Sequence, residues 1–153
     1  MVFWLGIMKI AEKSGIVEWL SKVLTPVAAF LFPELDKKNK ALGNIAMNFS
    51  ANALGLANAA TPMGLKAMEE LQKVNKDKDS ASDSMCMLLA MNTAGFQLIP
   101  ATVIAILATV GAANPTEIIV PTFIVTSIAF VGAILTAKIM QKIFPPQKAG
   151  END

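Results

Sequence analysis

ALGNIAMNFSANALGLANAA, residues Ala41–Ala60, holds no charged side chain, yet it is rich in asparagine, glycine and alanine. Asn44, Asn48 and Asn52 recur at i, i+4 and i+8, so a helix through them carries three carboxamides on one face. The charge-free run continues to Leu65, with Lys37, Lys38 and Lys40 before it and Lys66 after it. In short loops of membrane proteins lysines mark the cytoplasmic side, and acidic residues count for little. Both flanks then belong on one side. At about 1.5 Å per helical residue, so short a run cannot cross a core of about 30 Å twice. The stretch reads as a re-entrant hairpin that turns near Asn52–Gly55, midway through the bilayer.

Working outward, Thr61-Pro62 reads as a helix N-cap followed by proline at the first helical position. The helix it opens, Pro62–Asn75, is amphipathic, with Leu65, Met68, Leu71 and Val74 as one stripe and Glu69 and Lys73 on the wet face. A polar loop follows, in which Ser80, Ser82 or Asp83 can cap the next helix. Ser84–Thr116 is a second charge-free window, broken at its centre by Pro100, which removes a backbone donor and clashes with the preceding turn. Asn92, Thr93, Gly95 and Gln97 precede the break and Thr102 follows it. Asn114-Pro115 is a turn. Ile118–Ala137 is the cleanest spanning helix, and Lys138–Asp153 a polar, fraying tail, of which 146–153 lies beyond the domain. The lysine count places 66–83 and the C-terminus in the cytoplasm and 111–117 outside.

Toward the N-terminus, Val2–Ile10 is apolar but too short to span, and Lys9 and Lys13 come after its apolar core rather than before it, which is not the order of a secretory signal. Ile16–Leu24 suits a helix at the lipid interface, with Trp19, Leu20 and Val23 on one face. Pro26 follows, Val27–Phe32 re-enters apolar surroundings, Pro33 ends that element, and Glu34–Lys40 is a short charged loop.

Composition closes other routes. Over 153 residues, 54% are hydrophobic and only 16% charged. Histidine is absent, which removes imidazole bases, Ser/His or Cys/His nucleophile pairs and His-containing zinc sites. The one cysteine, Cys86, can neither pair within the chain nor anchor a cysteine-rich metal site, and reads as a buried small hydrophobe. All thirteen cations are lysines and the net charge is +1, so there is no arginine clamp and no basic field for nucleic acid. No GxxxxGK or GxGxxG cradle occurs. No catalytic residue, metal site or cofactor is expected, and the chain reads as a non-enzyme.

Two interruptions, the hairpin tip and the Pro100 break, thus fall near mid-membrane, and paired broken segments point to a transporter binding site. The asparagine stripe offers neutral donors and acceptors to a sugar, base or ion, or else binds neighbouring helices together. Asn58 and Thr61 present free N–H groups at a helix start to a solute, or simply cap the hairpin exit. Asn92, Thr93 and Gln97 must be satisfied by something at a mid-membrane break. No carboxylate lies inside the charge-free windows, where a proton relay or tightly bound cation would ordinarily use one. Glu117 reads as a solvated helix start, and the nine methionines as core and lipid-facing filler.

GLANAATPMGLKAM (Gly55–Met68), with VFWLGIMKIAEKSG (Val2–Gly15) before it and MNTAGFQLIPATVIAI (Met91–Ile106) after it, resembles the bacterial spore maturation protein A family. That family belongs to the wider Gate (nucleoside-recognition) group, with the concentrative nucleoside transporters and the membrane part of the ferrous-iron permease. The family motif maps onto Asn58, Ala59, Thr61, Pro62 and Gly64, and onto Asn92, Thr93, Pro100 and Thr102. The resemblance implies a multi-pass protein of the bacterial cytoplasmic membrane, acting with a sister subunit, spore maturation protein B. In sporulating bacteria that pair is linked to dehydration of the spore core, and relatives occur in bacteria that do not sporulate. Members usually carry helical chain before the VFWLG stretch, where this sequence begins, so the expected Gate-type domain over 1–145 lacks those helices. The nucleoside transporters rely on acidic residues near their hairpins, and this chain has none there.

The expectation is an all-α, polytopic membrane bundle with a re-entrant hairpin and a proline-broken helix. Its substrate-binding residues would be Asn52, Asn58, Thr61, Asn92, Thr93, Gln97 and Thr102, hinged at Gly55, Pro62, Gly64 and Pro100. Its partners would be the lipid bilayer, the sister subunit and a small polar solute or ion. A non-transporting scaffold is the alternative.

Overall fold

The computed structural model describes residues 10, 13–36 and 39–144; the apolar N-terminal stretch, Lys37, Lys38 and the tail after 144 lie outside the described residues. All regular structure among the described residues is helical: α1 (Ile16–Leu31), α2 (Lys40–Ala53), α3 (Ala57–Val74), α4 (Asp83–Ala94), α5 (Ala101–Thr109), a short 3₁₀ turn (Pro115–Ile118) and α6 (Ile119–Ile143). α2 and α3 form an antiparallel hairpin, α1 packs on α2, and α4 packs on α6.

The hairpin closes by a glycine-ended turn. Gly55 has φ +69°, its N–H donates to Asn52 O at 2.9 Å, and the Leu56 N–H donates to Ala51 O at 2.8 Å. These are the two bonds of a Schellman motif, which needs a left-handed residue after the helix cap. Asn39 starts α2, its side chain accepting from the Ala41 N–H at 2.9 Å. Ser82 supplies the cap of α4, accepting from the Met85 N–H at 3.4 Å.

The sequence misplaces several boundaries. α3 begins at Ala57, with Leu56 at its cap, so Thr61 is not an N-cap and Pro62 lies inside the helix. α1 likewise runs through Pro26 without a break. Ser21 Oγ donates to Glu18 O at 2.8 Å and Thr25 Oγ1 to Ser21 O at 2.7 Å, so hydroxyls occupy carbonyls in the turns before that proline. α6 stays helical to Ile143, five residues past the point where the tail was expected to fray.

The inward line of α3 also differs from the Leu65/Met68/Leu71/Val74 stripe. Leu65 is 62% exposed and Val74 52%, whereas Ala60, Ala67 and Leu71 are buried. α2 meets α3 with the buried Ala51, clustered with Leu56, Ala59 and Ala60, and with Asn48, so the hairpin closes on small side chains that let two backbones approach. A larger cluster gathers Phe32, Leu42, Ile45, Leu71, Met87 and Leu88 at the other end. α4 buries Ser84, Met87, Leu88 and Met91 on one line, which turns Cys86 outward; the cysteine is exposed, not buried.

Of the three charge-free windows, two are each divided between shorter helices. Only Pro115–Ile143 among the described residues is long and apolar enough to cross a membrane. None of its α6 residues is buried, and Val120, Ile124, Ile128, Val131, Leu135 and Ile139 stand exposed along it.

Long-range bonds fix the levels of the bundle. Ser84 Oγ donates to Glu34 Oε2 at 3.2 Å and Gln141 Nε2 to Asp83 O at 3.0 Å, which brings the 34–36 loop, the start of α4 and the end of α6 to one end. Burial and the neighbouring Glu34 carboxylate push the Asp83 carboxyl above its usual range. Near the other end the Gln97 N–H donates to Thr126 Oγ1 at 3.3 Å. Thr126 and Gln141 are separated by about 22 Å of helix at 1.5 Å per residue.

Candidate functional site

A helix leaves its last four carbonyls without intrahelical donors, and inside a low-dielectric layer each must be filled. At the end of α2 all four are. Ser50 O accepts from the Leu54 N–H at 3.1 Å, Ala51 O from Leu56, and Asn52 O from Gly55. The fourth, Ala53 O, accepts across the fold from the Leu98 N–H at 2.8 Å and the Ile99 N–H at 3.2 Å. Leu98 and Ile99 belong to the irregular segment 95–100, which runs from the left-handed Gly95 (φ +61°) that ends α4 to the buried Pro100 that starts α5. The hairpin tip and the proline break, 40 residues apart in sequence, therefore form one unit of backbone.

Gly55 permits that docking. A Cβ added to it would stand 2.5 Å from Ile99 O and 2.9 Å from Ala101 N, inside van der Waals contact with backbone. Phe96 anchors the break from its other side. Its ring stacks on Phe49 of α2 (centroids 5.4 Å apart) and meets Phe130 and Phe123 of α6 at 5.5 and 6.1 Å, within the range of favourable aromatic pairs. The Thr126 hydroxyl, while accepting from Gln97, donates to Thr122 O at 2.8 Å.

Beside this junction lies a group of carboxamides. Asn52 Nδ2 donates to Asn92 Oδ1 at 2.9 Å, which links α2 to α4. Asn48, only 3% exposed, donates from Nδ2 to Ala60 O on α3 at 2.8 Å. Gly64 makes room for Asn48: a Cβ there would be 2.8 Å from Asn48 Nδ2, while Asn92 Nδ2 would stand at an ordinary contact distance of 3.8 Å. Asn48, Asn52, Asn92 and Gly64 thus gather from three helices into a neutral, hydrogen-bonding cluster. No charged residue occurs in any of the sequence windows that supply it.

The structure brings together Asn52, Asn92, Gly55, Gly64 and Pro100 from the expected set. It separates others. Asn58, Thr61 and Pro62 are exposed on α3, Thr102 is exposed on α5, and Thr93 is exposed with its hydroxyl donating to Leu89 O at 2.9 Å. Gln97 participates through its main chain. Sequence reasoning assigned no site role to Phe96 or Thr126. The signal for Phe96 was an aromatic ring inside a break; for Thr126 it was a hydroxyl one turn after Thr122 in an apolar helix.

The family model described as Gate, nucleoside recognition, matches residues 1–113, a range that includes the hairpin, the break and α5. Spore maturation protein A of Bacillus subtilis (strain 168) is 45% identical over 135 residues, which cover 88% of this chain and 69% of that protein. No solved structure matches the chain. The backbone of the hairpin tip and of the proline break lies inside the range that the family model matches, and the chain belongs to the Gate (nucleoside recognition) family as a helical, transporter-like membrane protein related to spore maturation protein A.

Proposed function

We propose that this chain is one subunit of a complex in the bacterial cytoplasmic membrane that passes a small polar solute or ion, with the hairpin tip and the proline break as its gate. The observation that carries the reading is the pair of bonds from Leu98 and Ile99 to Ala53 O, which couples two interrupted segments beside the Asn52–Asn92 pair. In membrane transporters broken segments of this kind hold the solute near the bilayer midplane. The neutral cluster suits a solute recognised by hydrogen bonds, and a sister subunit of the spore maturation protein B type would close the side on which Asn58, Thr61 and Thr102 stand exposed. The chain performs no covalent step in this reading.

The depth of the tip supports re-entry. It lies about 22 Å from the Asp83 end, short of a hydrocarbon core of about 30 Å. Cysteines introduced at Asp36 and Lys76, in a Cys86→Ser background because the native thiol is exposed, should both react with an impermeant maleimide from the cytoplasmic side. One at Ala113 should react from the opposite side. Positions 36 and 76 reporting from opposite compartments would remove the re-entrant hairpin.

The transport role is tested in proteoliposomes holding this chain and its sister subunit, with labelled uridine and rubidium as probes. Asn52→Ala with Asn92→Ala should lower flux of the transported probe at least tenfold while both subunits still co-purify. Unchanged flux defeats the gate assignment. A second reading, a non-transporting scaffold, is favoured by one observation: Asn48, Asn52 and Asn92 already bond other parts of the chain, as polar residues that join membrane helices do. It predicts that the double variant loses partner association together with any flux.

A further inference from the structure

Thr126 and Ser127 stand side by side on α6, and the break uses only the first. The Thr126 hydroxyl accepts from the Gln97 N–H at 3.3 Å, while its own proton has three acceptors within reach: Thr122 O at 2.8 Å, Phe123 O at 3.4 Å and Gln97 O at 3.4 Å. Ser127 Oγ is buried and has no partner, the one such side-chain atom among the described residues. Phe123 and Phe130, four residues before it and three after, share its face of the helix, and both rings meet Phe96 of the break. Ser127 therefore belongs to the side of α6 on which the break is packed.

The break has an idle group at the same level. Asp83 bonds Gln141 and Gln97 bonds Thr126, so the 83–97 segment and α6 pass each other in opposite directions. That register sets Phe96 level with Ser127. The Phe96 main chain neither donates nor accepts a hydrogen bond among the described residues. A pairing that is not made, 96 with 127, thus adjoins one that is, 97 with 126. A buried polar group without a partner carries a desolvation cost, and a fold that keeps one does so for a reason. A helical serine can ordinarily turn back on the carbonyl four residues earlier, here Phe123 O, and Ser127 does not. On the other side of the break, Leu98 and Ile99 are held by Ala53 O only while the tip is docked.

We propose that Ser127 is a positioning residue of the gate: its hydroxyl is a second seat for the break, taken by the Phe96 main chain when Leu98 and Ile99 leave Ala53 O. This role presupposes that the tip and the break separate during passage, as the gate described above requires. In the docked state the break is held by Ala53 O and Thr126. In the undocked state the bonds lost at Ala53 O are partly replaced at Ser127, which makes opening less costly. A replacement bond of ordinary net strength raises the undocked population about fivefold.

The test is hydrogen exchange of the Leu98 and Ile99 amides in the full chain in detergent, read by mass spectrometry, because those two N–H groups are freed when they leave Ala53 O. Ser127→Ala should slow their exchange about fivefold. Its unfolding midpoint in dodecyl sulfate should stay at or above the native one, since the docked state does not pair the lost hydroxyl. Ser127→Thr keeps a hydroxyl there and should restore the native rate. Thr126→Val, which removes the docked seat, should exchange faster and unfold earlier. Exchange at the native rate in Ser127→Ala overturns the proposal. So does faster exchange with a lower midpoint, which would make the serine part of the docked packing. The measurement needs no solute, so the two ideas can fail separately. Slowed exchange in Ser127→Ala, with flux unchanged in Asn52→Ala with Asn92→Ala, would keep the second seat and remove the gate. Native exchange in Ser127→Ala, with flux lost in that double variant, would do the reverse.

Discussion

Gly55→Ala should destabilise the chain by about 2–5 kcal/mol, and Gly55→Val should prevent the hairpin tip from docking on the proline break at all. Two effects add. A non-glycine residue held at φ +69° bears a left-handed penalty of roughly 1–2 kcal/mol. The new methyl would also stand 2.5 Å from Ile99 O and 2.9 Å from Ala101 N, and overpacking of this kind costs about 1–3 kcal/mol when the neighbours are backbone. Relief requires the 98–101 segment to move away, and the bonds that Leu98 and Ile99 donate to Ala53 O go with it. In the proposed re-entrant placement, an unfilled terminal carbonyl then remains in a layer with no water to fill it. Unfolding in mixed micelles with increasing dodecyl sulfate, followed by circular dichroism, measures the loss. Gly43→Ala is the control: it is helical, nothing lies within 4 Å of the new methyl, and the change should be neutral or stabilising by up to about 1 kcal/mol. If Gly55→Ala unfolds with the native midpoint, the tip and the break are not coupled as described.

The same junction shows what the sequence reveals and what it hides. The turn at 54–56 and the break at 95–100 were legible because each combines a charge-free window with a residue that interrupts helix, Gly55 in one case and Pro100 in the other, although it is Gly95 that ends α4 and Pro100 that opens α5. Their meeting was not, since it is made by main-chain groups of Ala53, Leu98 and Ile99, whose side chains carry no sign of it. The Pro62 start failed for a related reason. The Schellman turn delivers the chain into a helix at Ala57, and Ala57–Ala60 propagates it, so the proline arrives after the first turn is built. Its missing N–H leaves the Asn58 carbonyl without its usual helical donor, on a face that is exposed. The inward face of α3 failed because periodicity arguments select the largest apolar residues. Ala60, Gly64 and Ala67 turn inward because small residues let the backbones approach, beside Leu71, which the stripe did place, while Leu65 and Val74 turn out. Cys86 follows the same logic on α4, where Ser84 and Met87 occupy the packed line.

Gly64 sets how closely α3 approaches the carboxamides, and a double-mutant cycle with Asn48 should expose that spacing. Gly64→Ala brings a methyl to 2.8 Å from Asn48 Nδ2 and should cost about 1–3 kcal/mol, less a few tenths regained from helix propensity. Asn48→Ala removes the buried donor to Ala60 O and should cost about 1–2 kcal/mol. In the double variant the Gly64 methyl enters the volume that the amide has left. The summed losses should therefore exceed the measured one by about 1 kcal/mol or more, the sign expected of a shared cavity. Additivity within about 0.5 kcal/mol would mean that the two residues do not share that space. A third arm separates packing from the gate. Asn92 Nδ2 would lie 3.8 Å from the same methyl, at ordinary contact distance, so Gly64→Ala sets a new apolar neighbour beside the Asn52–Asn92 pair, whereas Asn48→Ala leaves that pair bonded with none. If the pair gates solute, Gly64→Ala should lower uridine or rubidium flux more than Asn48→Ala does at equal loss of stability. Equal flux at equal stability would assign the whole cluster to holding the helices together.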